Sequence, residues 1–223
     1  MIFVLPLVLG VSVAALAQSA NTPAVAAADS SFKLVNLMNE PIALDQELIS
    51  DIYFQESLAA FDRKNNSEAA LHMRIGAQEL IKETPRDKRG SAKKLIEQRV
   101  GELFVLSFQL EAGLVRERSV LQKHFANAGE SVALRYYEIA NALPPAAPPS
   151  VLADRLTGMS NQLRQSKEYR ADATEKKQIA ALSEDAAGLA ADLRDAKPTD
   201  TELLAALKLR LNKLMSDMAK FDK

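Results

Sequence analysis

The sequence predicts an all-α protein: an antiparallel helical bundle, then a Pro-rich linker, then a C-terminal helical hairpin array. Three observations carry this. Leu, Ile, Met and Ala recur at three- and four-residue spacing through most of the chain, the period that lays apolar side chains along one helix face. No stretch shows the sustained alternation of Val, Ile and Thr that marks a half-buried strand. Only eight Gly and nine Pro occur in 223 residues, and several of the prolines stand where an apolar period ends.

Residues 1–17 read as a secretory signal peptide: an uncharged apolar run ending in Ala15-Leu16-Ala17, the small residues a signal peptidase recognises. The run is interrupted by Pro6 and Gly10 and is shorter than the roughly 20 apolar residues a membrane-spanning helix needs. Cleavage is expected to leave Gln18 first, although no Lys or Arg precedes the run, so its positive end would be the amino terminus alone. Residues 18–31 (QSANTPAVAAADSS) are small and polar, a flexible lead-in.

Residues 32–143 are expected to form the N-terminal bundle. A first helix spans about Asp45 to Lys64, presenting Leu48, Ile52, Leu58 and Phe61. Asn65 followed by Glu68 makes a capping-box turn, and Ser67 to Lys82 follows with Met73, Ala77 and Leu80 inward. Pro85 to Gly90 breaks the chain. The longest helix is predicted from Ser91 to Ala126, with Leu103, Leu106, Leu110 and Leu114 on one stripe; Asn127-Ala128-Gly129 interrupts it and Ser131 to Leu143 resumes. Residues 144–149 hold four prolines in six positions, a stiff linker.

Residues 150–223 form the C-terminal helical region. Ser150 is a natural N-cap for a helix carrying Leu152, Leu156, Met159 and Leu163. The next helix carries Ile179, Leu182, Ala186, Leu189 and Leu193 and stops at Lys197-Pro198. Thr199 with Glu202 offers another capping box. Beyond it Leu204, Leu207, Leu211, Leu214, Met218 and Phe221 alternate by three and four, a heptad seam of bundle length. That seam is the candidate helix-packing site, as intramolecular core or dimer contact. Phe61, Ser67, Ala69 and Ile75 recur as Phe125, Ser131, Ala133 and Ile139, which reads as shared helical chemistry rather than duplication.

Composition narrows the function. With 28 basic and 29 acidic side chains the net charge is −1, without the basic excess of a nucleic-acid binder. Residues 29–83 carry ten acidic and five basic side chains and 84–123 nine basic and five acidic, which suggests complementary faces in preference to a basic surface for an anionic partner. No Cys is present, which excludes disulfides, thiol catalysis, thiolate metal sites and a lipoprotein anchor. The run Arg86, Lys88, Arg89, Lys93, Lys94 lacks aromatics and reads as a solvated loop.

Chemistry is sparse. His72 and His124 are the only histidines, and neither lies in the Glu-x-x-His spacing with which helix bundles hold metals. Met38, Met73, Met159, Met215 and Met218 fall on apolar stripes or singly, so core packing is favoured over copper binding. Tyr136-Tyr137 are divided between core and surface by helix periodicity. No phosphate-binding Gly-rich loop, Gly-x-Ser-x-Gly elbow or haem attachment motif occurs. Neither a cofactor nor a metal is therefore expected.

Ala69-Ala70 with Ala77 and Leu80, Leu110-Glu111 with Gly113 and Val115, and Phe125-Ala126 with Ala128, Ala133 and Tyr137 form one pattern. It resembles bacterial exported Ala-rich helical-bundle proteins, whose paired helices follow this order. The likeness covers residues 69–140 and departs at Gly129, Arg135 and Tyr136, where such proteins often carry histidines. It implies a helical bundle and export, and no catalytic or binding residue. The expectation is a non-enzymatic interaction or scaffolding protein of the bacterial periplasm or cell envelope, with a protein partner or self-association through helices. It would bind no nucleic acid and, once the signal is removed, would not be integral to the membrane. The competing class is a small-ligand or metal-binding sensor-type bundle with a cavity near His72, Tyr136 and Tyr137.

Overall fold

The computed structural model describes residues 48–85, 92–143 and 147–195, together with 209 and 213. Among the described residues there are six helices and no strand: α1 (Ile49–Asp62), α2 (Asn66–Glu83), α3 (Ala92–Glu111), α4 (Arg118–Asn141), α5 (Pro149–Tyr169) and α6 (Ala173–Arg194). The chain is all-α over this part. The signal segment, the lead-in, the Lys197-Pro198 stop, the Thr199 cap and the seam of Leu204, Leu207, Leu211, Leu214, Met218 and Phe221 lie outside the described residues.

Each helix packs on its neighbours in the chain, and α1 also meets α4, closing a ring of four. Partners α1 and α2 run in opposite directions, because Ser50 bonds Glu83 while Ser57 Oγ donates to the Ala69 carbonyl at 2.8 Å. The same holds for α5 and α6, where Ser160 meets Ser183 and Arg194 meets Asp154. One core cluster runs from Phe54 through Phe125 and Tyr137 to Leu163 and Leu193, so the helices on both sides of the Pro-rich segment share it.

Small residues set the spacing of these helices. Ala60, Ala69, Ala70, Ala77, Ala126, Ala128, Ala133 and Ala153 have no exposed surface, which lets backbones approach closely and gives each ring a place to lie. Gly158 on α5 is the tightest case: a Cβ there would lie 2.5 Å from the Tyr136 ring. Gly158→Ala is therefore expected to cost about 1–3 kcal/mol by overpacking, read as a lower urea midpoint at unchanged slope.

Several helix boundaries follow the predicted chemistry and others do not. Asn65 caps α2 as expected, its side chain accepting from the Glu68 N–H at 3.3 Å. The long helix predicted from Ser91 to Ala126 is in fact two. Gly113 sits at φ +70°, with Leu114 N–H donating to the Gln109 carbonyl at 2.9 Å and Gly113 N–H to that of Leu110 at 3.0 Å. This is a Schellman ending, which a residue without Cβ adopts freely. Leu114 is consequently 72% exposed instead of continuing the buried stripe of Leu103, Leu106 and Leu110. Gly113→Ala is expected to lower stability by about 1 kcal/mol, since Ala disfavours positive φ, measurable as a small drop in melting temperature.

The break predicted at Asn127-Ala128-Gly129 is instead the buried interior of α4, where Gly129 admits Ser166 of α5 to 3.3 Å from the position of a Cβ. That continuity also separates the two copies of the offset pattern: Phe61 and Ser67 flank a turn, whereas Phe125 and Ser131 lie within one helix. Ser150 does not cap α5. Pro149 occupies the first turn, where its fixed φ and missing N–H suit a helix start, and Pro148 stands before it. Lys93 and Lys94 belong to α3, not to a loop.

On α1 the inward face is rotated from the expected one. Phe54 and Leu58 are buried while Ile52 is 37% exposed. The cause is polar: Ser50 and Ser57 turn inward because both hydroxyls find partners on α2, and buried hydroxyls are tolerated when so bonded. Acidic and basic segments do not pair as blocks either. Arg118 meets Asp62 at 3.2 Å as expected, but Arg74 of the acidic segment meets Glu111 of the basic one at 2.7 Å.

Two helix starts are capped by a neighbour. Leu48 cannot cap α1 through its side chain; Glu83, at the end of α2, accepts from Ser50 N–H at 2.8 Å and Ser50 Oγ at 2.5 Å. Glu138, near the end of α4, accepts from the Ala92 N–H of α3 at 3.1 Å. A carboxylate at a helix N-terminus meets both the free N–H groups and the positive end of the dipole. Burial pushes the Glu83 carboxyl up from its ordinary value, against the Ser50 bonds.

Candidate functional site

The residues singled out for a ligand cavity do not converge on one. Tyr136 and Tyr137 are both buried, correcting the division between core and surface. Tyr136 packs over Gly158, and its hydroxyl reaches the Glu83 carbonyl at 3.4 Å. His72 stacks on Tyr53 with ring centroids 6.0 Å apart, its Nδ1 lying 3.0 Å from Glu56 and its Nε2 3.7 Å from Glu68. His124 lies 3.9 Å from Glu102. Met73 and Met159 are core residues. Among the described residues no three His, Asp or Glu side chains are grouped to hold a metal ion.

A polar corner forms where α5 turns into α6. Glu130 of α4 has no exposed surface, yet it receives a two-pronged contact from Arg170: Nε to Oε1 at 2.8 Å and Nη2 to Oε2 at 2.7 Å. Arg170 Nη2 also donates to Asn127 at 2.8 Å, and Nη1 lies 3.7 Å from Glu175. Burial raises the Glu130 carboxyl from its ordinary value, and Arg170 pulls the other way. Asp172 caps α6 beside it, accepting from Glu175 N–H at 2.8 Å. Over this corner lies a groove of about 280 Å³, lined by Ser119, Gln122, Lys123 and Asn127 of α4 and by the Tyr169–Asp172 turn with Glu175. Its floor is charged and already hydrogen-bonded.

The second feature is apolar and outward. Leu71 and Ile81 of α2, Val105 and Phe108 of α3, and Leu114 just beyond α3 are between 50 and 72% exposed. They belong to one face. Arg74 of α2 lies over the Phe108 ring, 5.9 Å from its centroid, while bonding Ser107 and Glu111 of α3. Leu71 and Ile81 fall at i−3 and i+7 from Arg74 and so share its stripe. Val105 precedes Phe108 by three residues on α3.

Sequence reading missed this face because it followed the buried stripes. The available signal was the set of large apolar residues left off those stripes, Leu71, Ile81, Val105 and Phe108. The Glu130–Arg170 contact spans forty positions and leaves no local trace. Over the described residues, fold and surface together define an all-helical body with a hydrogen-bonded polar corner under a groove and an open apolar face. Compared with family models, with curated proteins and with solved structures, the chain matches none.

Proposed function

We propose that the chain is a non-enzymatic helical interaction or scaffolding protein, exported to the bacterial periplasm or cell envelope. The observation that carries the reading is the α2–α3 face, whose large apolar side chains stand exposed among the described residues; the largest apolar patch of a monomer, a few hundred Å², is often the one it uses. In this reading residues 32–143 form an antiparallel bundle, the prolines from 144 to 148 a stiff connection, and the helices from Pro149 on a helical hairpin array. Supporting non-enzymatic character are the two histidines and the absence of cysteine. Among the described residues no helix is long and apolar enough to cross a membrane.

A photoreactive phenylalanine analogue at position 108, introduced in cells exporting the protein, tests the reading. Adducts of discrete mass are expected at 108 and not at exposed Glu184 on α6; equal labelling at both sites, or none at 108, overturns it. N-terminal sequencing of the exported chain is expected to find Gln18 first. The groove above Arg170 favours a second reading, a small polar ligand held at the α4–α6 corner. A thermal-shift screen with small anions and amino acids tests it, and Arg170 and Lys123, not His72 or the tyrosines, are its residues.

A further inference from the structure

The partner of the α2–α3 face follows from its shape, its size and its rim. Along α3 and into the turn after it the outward stripe runs Gly101, Val105, Phe108, Ala112, all exposed and spaced by four, three and four residues. Gly101 is the anomaly. An added Cβ would meet nothing within 4 Å among the described residues, so no described side chain uses the space it leaves. A glycine within a helix costs about 1 kcal/mol relative to alanine. Two turns away along the same stripe stands Phe108, the largest outward side chain of the face, 62% exposed. One helix thus carries both a gap and a knob.

We propose that a second copy of this chain covers the face, with the two α3 helices antiparallel about a two-fold axis. In that arrangement each Phe108 ring lies on the Gly101–Val105 interval of the other protomer. A two-fold interface must be self-complementary, each patch meeting its own copy, and a gap and a knob on one stripe satisfy that condition. The five large apolar side chains expose on the order of 500 Å² per protomer, taking roughly 180 Å² for each when fully exposed. A specific interface buries about 800 Å² per partner with about 60% of it apolar. The face therefore matches one side of a dimer contact in size. Its rim is electrically mixed: Arg74–Glu111 at one end and Lys93–Glu97 at the other. The two-fold axis sets one neutral pair against the other, with no block of like charge opposed.

This rests on the interaction reading and deepens it by naming the partner, and the experiment separates the two. The purified exported chain is measured by sedimentation equilibrium over a concentration series, with a dimer expected. Phe108→Glu is expected to weaken the dimer about 100-fold, as loss of a central aromatic anchor does. Gly101→Leu is expected to break the dimer while leaving the monomer's melting temperature equal or higher, an outcome that general misfolding does not produce. The chain has no cysteine, so Val105→Cys, within a turn of the axis, is expected to give a disulfide-linked dimer on mild oxidation, and Glu184→Cys is not.

A monomer at every concentration overturns the proposal. So does a dimer indifferent to both Phe108→Glu and Gly101→Leu, which would place the contact elsewhere, the 204–221 seam included. If the chain is monomeric while position 108 still photo-crosslinks to a different protein, the two-fold contact fails and the interaction reading survives. If position 108 gives no adduct either, both fail.

Discussion

Replacing Arg170 with Ala is expected to destabilise the fold by about 3–5 kcal/mol at neutral pH, the usual result of leaving one member of a buried ion pair alone. Glu130 has no exposed surface, and Arg170 makes both of its closest polar contacts. The penalty should depend on pH in a defined direction. Burial already raises the Glu130 carboxyl, with Glu175 adding to the rise and Arg170 and Arg99 opposing it. Removing Arg170 raises it further. A carboxyl raised in the folded state holds a proton that the unfolded chain releases, so stability falls as pH climbs from the unfolded carboxylate value to the folded one. Arg170→Ala should thus be most damaging at neutral pH and partly relieved in mild acid. Urea titrations of wild type and variant at pH 7 and pH 5 check this; a penalty that grew on acidification would contradict the assignment. Glu130→Gln in the same background should recover part of the loss at pH 7, because it removes the stranded charge.

Phe125→Ala is expected to cost a comparable amount, about 3–5 kcal/mol, through lost burial and the cavity left behind. Its ring is stacked 4.4 Å from Phe54 on α1 and meets Tyr169 on α5 edge-on at 5.6 Å. Three helices therefore lose contact at once. Tyr169 also donates to Asp51, a buried carboxylate on α1, so the vacated space adjoins a polar contact that has little room to relax. Phe125→Leu should recover much of the loss. Chemical denaturation with a circular-dichroism readout separates the two variants, and a Phe125→Ala midpoint within error of wild type would place Phe125 outside the core.

The all-α class was legible because Met73, Ala77 and Leu80, or Ile179, Leu182, Ala186, Leu189 and Leu193, repeat with helical period and are all buried. Boundaries were less legible where backbone and tertiary contacts compete. Gly113 and Gly129 look alike in sequence, yet one ends a helix at positive φ and the other admits a neighbouring helix. Nothing local marks Ser50 and Ser57 as buried, because their partners on α2 are remote in sequence. The open face was hidden for a different reason. Leu71, Val105 and Phe108 stand off the buried stripes in sequence, and it takes their exposure in the fold to bring them together as a face. The Glu130–Arg170 corner requires three helices to be in place before its two charges meet.

Glu83 and Glu138 each finish one helix and begin another, and this bears on how the chain opens. Fraying the end of α2 withdraws the carboxylate that holds Ser50, so the start of α1 loosens with it; α4 and α3 are tied in the same way through Ala92. Each hairpin is therefore expected to open as a unit instead of helix by helix. Amide exchange at the α1 and α3 starts should keep pace with the far ends of α2 and α4, which makes these carboxylates couplings between distant stretches of sequence.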